Sequence, residues 1–334
     1  MWKLKWSRPL RGSRLALLIV GVASIATSVA CTNSALAGSL VVNDRWRDGT
    51  DDDPASPVYS ENGTDADFDV DLESVWYQGG DGTLNPVGAG GPLRGQFSSP
   101  TGGSSASWTT YFTPEASPVT LANPGEKIKV TWVFTPTNIN GDPTGNTSNT
   151  SQNLRLAVVD SPSASRISAN GSPGSSTYTG YSMFMNMGAV LGNSNPFQLR
   201  EHDNNGALLS GSGDWLALAN GATSGTTGYA SGTEYTFMMT LTRTLANELQ
   251  VDVSMTGGNL DNDGSADISF LDTTPNGGSF SFDTFAIRPS GASTTAEIFD
   301  TRLFRVQFCI PEPASILLLG MSVFALTLMR RRAS

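Results

Sequence analysis

The chain has 334 residues, with 20 Lys and Arg against 30 Asp and Glu, one His and two Cys. A net charge of −10 disfavours direct binding to nucleic acid or to an anionic lipid surface. A single histidine rules out a two-histidine zinc centre, and two cysteines rule out a scaffold held by several bridges.

Residues 1–37 read as a secretory signal peptide, drawn as a helix: Lys3, Lys5, Arg8, Arg11 and Arg14 precede an apolar run from Leu15 to Ala30. Ala35-Leu36-Ala37 fits the small-x-small cleavage rule, which places the cut after Ala37. A competing reading is lipid attachment at Cys31 after Ser28-Val29-Ala30, although leucine is missing three positions before the cysteine. Cleavage after Ala37 would remove Cys31, leaving Cys309 without an intramolecular partner.

Residues 39–308 form the exported domain. Five of the basic residues precede it and three follow it, which leaves 12 Lys and Arg against 29 Asp and Glu, a net charge near −17. Such a body suits Ca²⁺ and neutral or cationic polymers as partners. No helical period is sustained there. Short alternating runs recur between Gly, Pro, Asn and Asp instead, and roughly 12 to 14 strands are expected. They are Ser39–Asn43, Ala66–Tyr77, Ser105–Phe112, Lys127–Phe134, Leu154–Asp160, Tyr178–Met187, Phe197–His202, Glu234–Thr242, Glu248–Thr256, Ala266–Leu271, Phe280–Ile287 and Ala296–Phe308. Gly79 to Gly95 reads as Gly/Pro-rich loop. The clearest strand puts Ile128, Val130, Trp132 and Phe134 on one face and Lys127, Lys129 and Thr131 on the other. Tyr181, Met183, Met185 and Met187 alternate as a core face. Strands this numerous, without a fixed repeat, predict an all-β, two-sheet sandwich rather than a propeller or solenoid.

Several constellations bear on chemistry. Asn259, Asp261, Asp263 and Asp267 stand at positions 1, 3, 5 and 9 of a calcium-loop pattern with Gly264 at position 6, and Phe270 replaces the bidentate Glu at 12. The alternative is a hairpin turn between two strands. No other cofactor is implied. Asp48 and Asp51 to Asp53 read as a solvated acidic loop. Asp69, Asp71 and Glu73 fall at i, i+2 and i+4 on one strand face, and His202 reads as a surface residue at a strand end. Trp46 and Trp215 sit among polar residues, which makes them the tryptophans to test as sugar-stacking platforms against core packing. Asn62-Gly-Thr64, Asn146-Thr-Ser148 and Asn149-Thr-Ser151 match the N-glycosylation pattern.

The closing run, from Phe280 through Asp283 and Ile287 to Ile298, Asp300 and Val306, resembles the final strands of concanavalin-type lectins and glucanases. That resemblance implies a jelly roll. Laminarinase-type glucanases of this fold carry Glu-x-Asp-x-x-Glu or Glu-x-Asp-x-Glu on a strand. Here Asp69 would stand at the nucleophile position, a departure from the family. A glycoside hydrolase or lyase is therefore the alternative to a non-enzymatic reading.

Residues 309–334 read as a sorting and anchor segment. Pro311-Glu312-Pro313 is a rigid break. Ala314 to Met329 is uncharged, a helix of roughly 24 Å that can span a thinned bilayer. Arg330, Arg331 and Arg332 end it on the cytoplasmic side. Ile310-Pro311-Glu312-Pro313-Ala314-Ser315, the apolar run and the arginines together resemble the PEP-CTERM sorting signal. The resemblance covers only the C-terminal stretch. It implies export by a diderm bacterium through the secretion translocon, transient anchoring by the C-terminal helix and processing by an exosortase. It also implies a place at the cell surface or in the extracellular matrix among exopolysaccharide, with a structural or adhesive role.

Overall fold

Alternation of period two governs the half of the fold that meets water. In a computed structural model, which describes residues 38–51, 71–140 and 148–311, the run led by Lys127 is a strand to Ile139. Its Ile128, Val130, Trp132 and Phe134 are buried, while Lys127, Lys129 and Thr131 are half-exposed. The expected cleavage site at Ala35 and Ala37, the acids Asp69, Asp52 and Asp53, and the tail from Glu312 through Arg330, Arg331 and Arg332 lie outside the described residues.

Fifteen principal strands build two antiparallel sheets. They are β1 (Gly38–Asp44), β2 (Trp76–Gly80), β3 (Thr83–Pro86), β4 (Leu93–Gln96), β5 (Ala106–Tyr111), β6 (Lys127–Ile139), β7 (Leu154–Asp160), β8 (Thr179–Met185), β9 (Phe197–His202), β10 (Trp215–Asn220), β11 (Tyr235–Leu245), β12 (Glu248–Thr256), β13 (Ser265–Asp272), β14 (Thr284–Pro289) and β15 (Ala296–Cys309). The first sheet runs β13-β12-β11-β6-β15-β4-β3, with β1 pairing β15 beyond β4. The second runs β10-β9-β8-β7-β14-β5-β2. The chain passes from one sheet to the other at β1–β2, β2–β3, β4–β5, β5–β6, β6–β7, β10–β11, β13–β14 and β14–β15. The all-β, two-sheet sandwich expected from the pattern is the observed architecture. No helix among the described residues is long and apolar enough to cross a membrane.

Aromatic side chains tie the sheets together. Phe285 of β14 meets Phe304 of β15 with centroids 5.1 Å apart, Trp76 meets Phe304 at 5.2 Å, and Trp108 meets Phe299 at 5.4 Å. Such pairs contribute roughly 0.5–1.5 kcal/mol each beyond their burial. The Trp132 indole stays satisfied inside the core by donating to Thr301 Oγ1 at 3.0 Å. Tyr181, Met183, Met185 and Met187 are all buried, as their alternation predicts.

The Gly/Pro-rich stretch from Gly79 to Gly95 is not loop throughout, because it contains the β3–β4 hairpin. Its glycines are there for space and turn geometry. A Cβ at Gly95 would fall 2.3 Å from the Trp108 ring, and Gly88 and Gly90 take φ of +72° and +70° in the turn. One further expectation is corrected. The run from Phe280 to Ile287 breaks at Asp283, which turns inward to bind other groups. Cys309, which pairs with Gly38 at the start of β1, is disulfide-bonded.

The second sheet is covered on both faces. Loop 161–174 lies over its outer face near β5, and Arg166 is its anchor. Arg166 Nη2 pairs with Asp283 Oδ2 at 2.6 Å, both side chains being buried, and the guanidinium stacks 4.5 Å over the Tyr111 ring. Burial is the main reason that the Asp283 carboxyl lies above its usual range, with Arg166 and Thr284 opposing the shift. Replacing Arg166 by Met is expected to cost about 3–5 kcal/mol, since it strands a buried carboxylate. Urea unfolding checks this, and a loss below about 1 kcal/mol would show that the pair does not hold the loop.

Candidate functional site

The tryptophans expected to serve as sugar platforms are interior. Trp46 is 1% exposed and Trp215 is 2% exposed. Trp46 takes a left-handed φ of +54°, donates its N–H to Asp44 Oδ1 and packs on Trp76. Trp215 packs on Phe184 and His202 beneath the loop of residues 203–214. Polar sequence neighbours misled in both cases, because those neighbours belong to turns that cover the ring. His202 is likewise buried rather than on the surface. Its Nδ1 lies 2.9 Å from the Tyr178 carbonyl, and burial lowers its pKa.

The acidic pattern at Asp261 is a latch between loops. Asp261 also has a positive φ, +53°, and its Oδ2 and Oδ1 accept the backbone N–H groups of Ser224 at 2.8 Å and Gly225 at 2.9 Å. Asp263 accepts the Ser224 hydroxyl at 2.7 Å and the Ser265 N–H at 3.1 Å, and these bonds hold its carboxyl below the ordinary range. Asn259 and Asp267 are exposed, Asp267 out on β13 opposite Ser254. Among the described residues, no group of three or more His, Cys, Asp or Glu is placed to hold a metal ion.

Asp71 and Glu73 do not lie on a solvent-facing strand. They belong to an extended segment tied to β1 at Leu72, and both are buried. Asp71 accepts the Arg45 N–H and pairs with Arg47. Nearby Asp44 is pushed well above the usual carboxylate range by burial, despite two backbone hydrogen bonds that oppose the shift.

A recess on the outer face of the second sheet, about 400 Å³ in volume, gathers polar groups more effectively. Four neighbouring strands build its floor. Phe184 of β8 stands opposite Arg155 of β7 on one side and Gln198 of β9 on the other, and Arg155 stands opposite Arg288 of β14. Arg200 lies two residues from Gln198 on the same face. The guanidinium carbons of Arg155 and Arg200 sit 4.7 and 4.6 Å from the Phe184 ring centre, so one aromatic quadrupole faces two cations. Gln152, Asn153, Ser212, Ser290 and Thr294 complete the walls together with Ser151.

Carbonyls hold these arginines in place. Arg155 Nη1 donates to the Leu209 and Ser210 carbonyls, at 2.8 and 3.1 Å. Arg200 Nη1 donates to those of Ser212 and Trp215, and its Nη2 to Gln152 Oε1 at 3.3 Å. Arg288 donates to the Ser105 hydroxyl. Among the described residues, none of the three makes an ion pair, and the buried Arg200 Nε has no hydrogen-bond partner. Burial, reinforced by the charges of Arg288 and Arg200, lowers the Arg155 pKa, and burial lowers those of Arg200 and Arg288.

An asparagine network stiffens the rim. Asn149 Nδ2 donates to the Met187 and Thr294 carbonyls, Asn186 Nδ2 donates to Asn149 Oδ1, and Met187 N–H donates to Asn153 Oδ1. The nitrogen that would carry a glycan at Asn149 is therefore already committed to the fold. Sequence reading missed the whole recess. Arg155, Arg200 and Arg288 share no motif, and the one available signal was that each lies in or beside an apolar strand run.

No protein-family model matches the chain, and no curated protein sequence matches it. Among solved structures it is similar to the carbohydrate recognition domain of Emp46p, at 12% identity over 69% of this chain and 87% of that one, with a TM-score of 0.37. It is also similar to arcelin-5, a lectin-like defence protein from Phaseolus vulgaris, at 11% identity over 70% and 92% with a TM-score of 0.35. A protein of unknown function from Shewanella oneidensis MR-1 covers 84% of this chain and 90% of its own at 12% identity and a TM-score of 0.36.

Because N–H donors occupy both oxygens of Asp261, its replacement by Ala is expected to cost about 1–3 kcal/mol. The melting temperature should be indifferent to EDTA and to added Ca²⁺, and a rise with Ca²⁺ would restore the calcium-loop reading.

Proposed function

We propose that this is an exported, non-enzymatic β-sandwich protein that holds exopolysaccharide in the recess floored by Phe184 and walled by Gln152, Asn153, Ser212, Ser290 and Thr294. The observation that carries this reading is the recess itself. Hydroxyls, amides and guanidinium groups converge on a rigid sheet whose rim is locked by hydrogen bonds, which suits a ligand rich in hydroxyl groups. Binding is favoured over turnover by the residues present. A glycoside hydrolase needs two carboxyl groups at a set spacing, and no Asp, Glu or His lines the recess. Asp71 and Glu73, the sequence-level alternative, are buried within the β1 segment.

The tail supplies the address in this proposal. The secretion translocon carries the chain across the inner membrane, the helix from Ala314 to Met329 holds it there, and an exosortase acts near Pro311-Glu312-Pro313. The domain then stays at the cell surface or in the matrix of a diderm bacterium. Pro311 is half-buried and its ring lies over Gly125, where a Cβ would approach it to 2.6 Å.

Two measurements test the reading. In a pull-down or gel-retardation panel of bacterial exopolysaccharides, the protein is expected to bind at least one without releasing reducing ends or unsaturated products. Phe184→Ala, which removes the recess floor, should abolish the binding, and turnover of any glycan would favour the enzymatic alternative. Deleting Pro311–Ser334 is expected to give a soluble periplasmic or secreted product with an unchanged circular dichroism spectrum. Retention of the truncated chain in the envelope would place the sorting element elsewhere.

A further inference from the structure

We propose that the recess is selective for a saccharide unit bearing an anionic oxygen group, a carboxylate or a sulfate ester, held by Arg155 and Arg200 with Arg288 behind them. This rests on the polysaccharide-binding reading and adds the charge of the sugar to it. The body carries 12 basic residues against 29 acidic ones, and three of the 12 stand on one face of four adjacent strands. Elsewhere acids neutralise three arginines, Arg47 by Asp71, Arg94 by Asp300 and Arg166 by Asp283, while Arg243 and Arg305 stand singly on carbonyl and amide oxygens. In the recess no carboxylate neutralises the arginines.

Clustering like charges in a half-buried place costs stability. An anion of suitable shape would remove that cost. The guanidinium fork matches a carboxylate or an ester sulfate through paired charge-assisted hydrogen bonds. A donor remains for it at the recess, because Arg155 Nη2 makes no hydrogen bond among the described residues, and Arg288, behind the lining, adds its charge. Phe184 holds the two lining guanidinium groups on its ring, which fixes their separation before ligand arrives. Of the neutral walls, the Ser212 and Ser290 hydroxyls make no hydrogen bond among the described residues and are left for sugar hydroxyls, while Gln152 and Asn153 are committed to Arg200 and to the rim.

The test compares matched polymers on the full chain: polygalacturonate against its carboxyl-reduced neutral form, and dextran sulfate against dextran, with polyglutamate as an anionic polymer that is not a sugar. Expected is binding to polygalacturonate, to dextran sulfate or to both. It should weaken steeply between low and high salt and fall about tenfold or more in Arg155→Ala and in Arg200→Ala. Which polymer binds identifies the anionic group. Arg200→Lys keeps the charge but removes the fork, and it serves where an alanine variant fails to fold; a loss of about tenfold is again expected. Equal binding of the neutral partners would overturn the charge selectivity while leaving the polysaccharide reading intact. Binding of no polymer would overturn both. Equal binding of polyglutamate would overturn the saccharide half of the proposal and leave a general anion site.

Discussion

The central strands of the seven-stranded sheet are buried on both faces, and most of what is distinctive in the molecule follows from that constraint. Its inner face packs on the eight-stranded sheet through interlocking aromatic rings. Its outer face lies under the chain's own loops, where Ala157, Val159, Tyr178, Phe184, Leu208, Leu209, Trp215 and Ala286 form a second apolar layer. A polar group on such a face must find a partner or destabilise the fold. Asp283 finds Arg166 and the Ser161 N–H, the Tyr111 hydroxyl accepts the Ile167 N–H, and His202 lies against the Tyr178 carbonyl. These bonds also fix the covering loops to the sheet.

At one place the outer face is not closed. Between the loop ending at Asn153 and the turn at residues 209–212, the cover leaves a recess over Phe184. The arginines there serve two ends with one geometry. Their bonds to the Leu209, Ser210, Ser212 and Trp215 carbonyls hold the neighbouring loop down, and their remaining donors and uncompensated charge point to an external partner. A covering loop that depends on cations without carboxylates is a local weakness in the fold, and binding an anion would relieve it.

Much of the architecture was legible in the sequence, and the reason is the water on one side of the first sheet. There the pleat forces apolar and polar residues to alternate, so strands such as Lys127–Ile139 and Glu248–Thr256 announce themselves. The second sheet reads instead as short continuous apolar runs, which give strand positions but not which face meets what. Hairpin β3–β4 was hidden by Gly95, a glycine required by the Trp108 ring above it. Trp46 and Trp215 were misplaced because sequence neighbours do not reveal that a turn folds back over a ring. The recess was invisible for a topological reason. Arg155, Arg200 and Arg288 meet only through the register of β7, β8, β9 and β14, and β14 reaches β7 from the far end of the chain.

The account therefore turns on whether the open part of the covered face is a place where a charged sugar docks. A crystal structure of the protein with a bound acidic oligosaccharide tests this most directly. The account predicts the anionic group of one residue lying between the guanidinium groups of Arg155 and Arg200, with its ring against the wall formed by Asn153 and Thr294. An oligosaccharide seated on the solvent face of the eight-stranded sheet, with the recess empty, would contradict it.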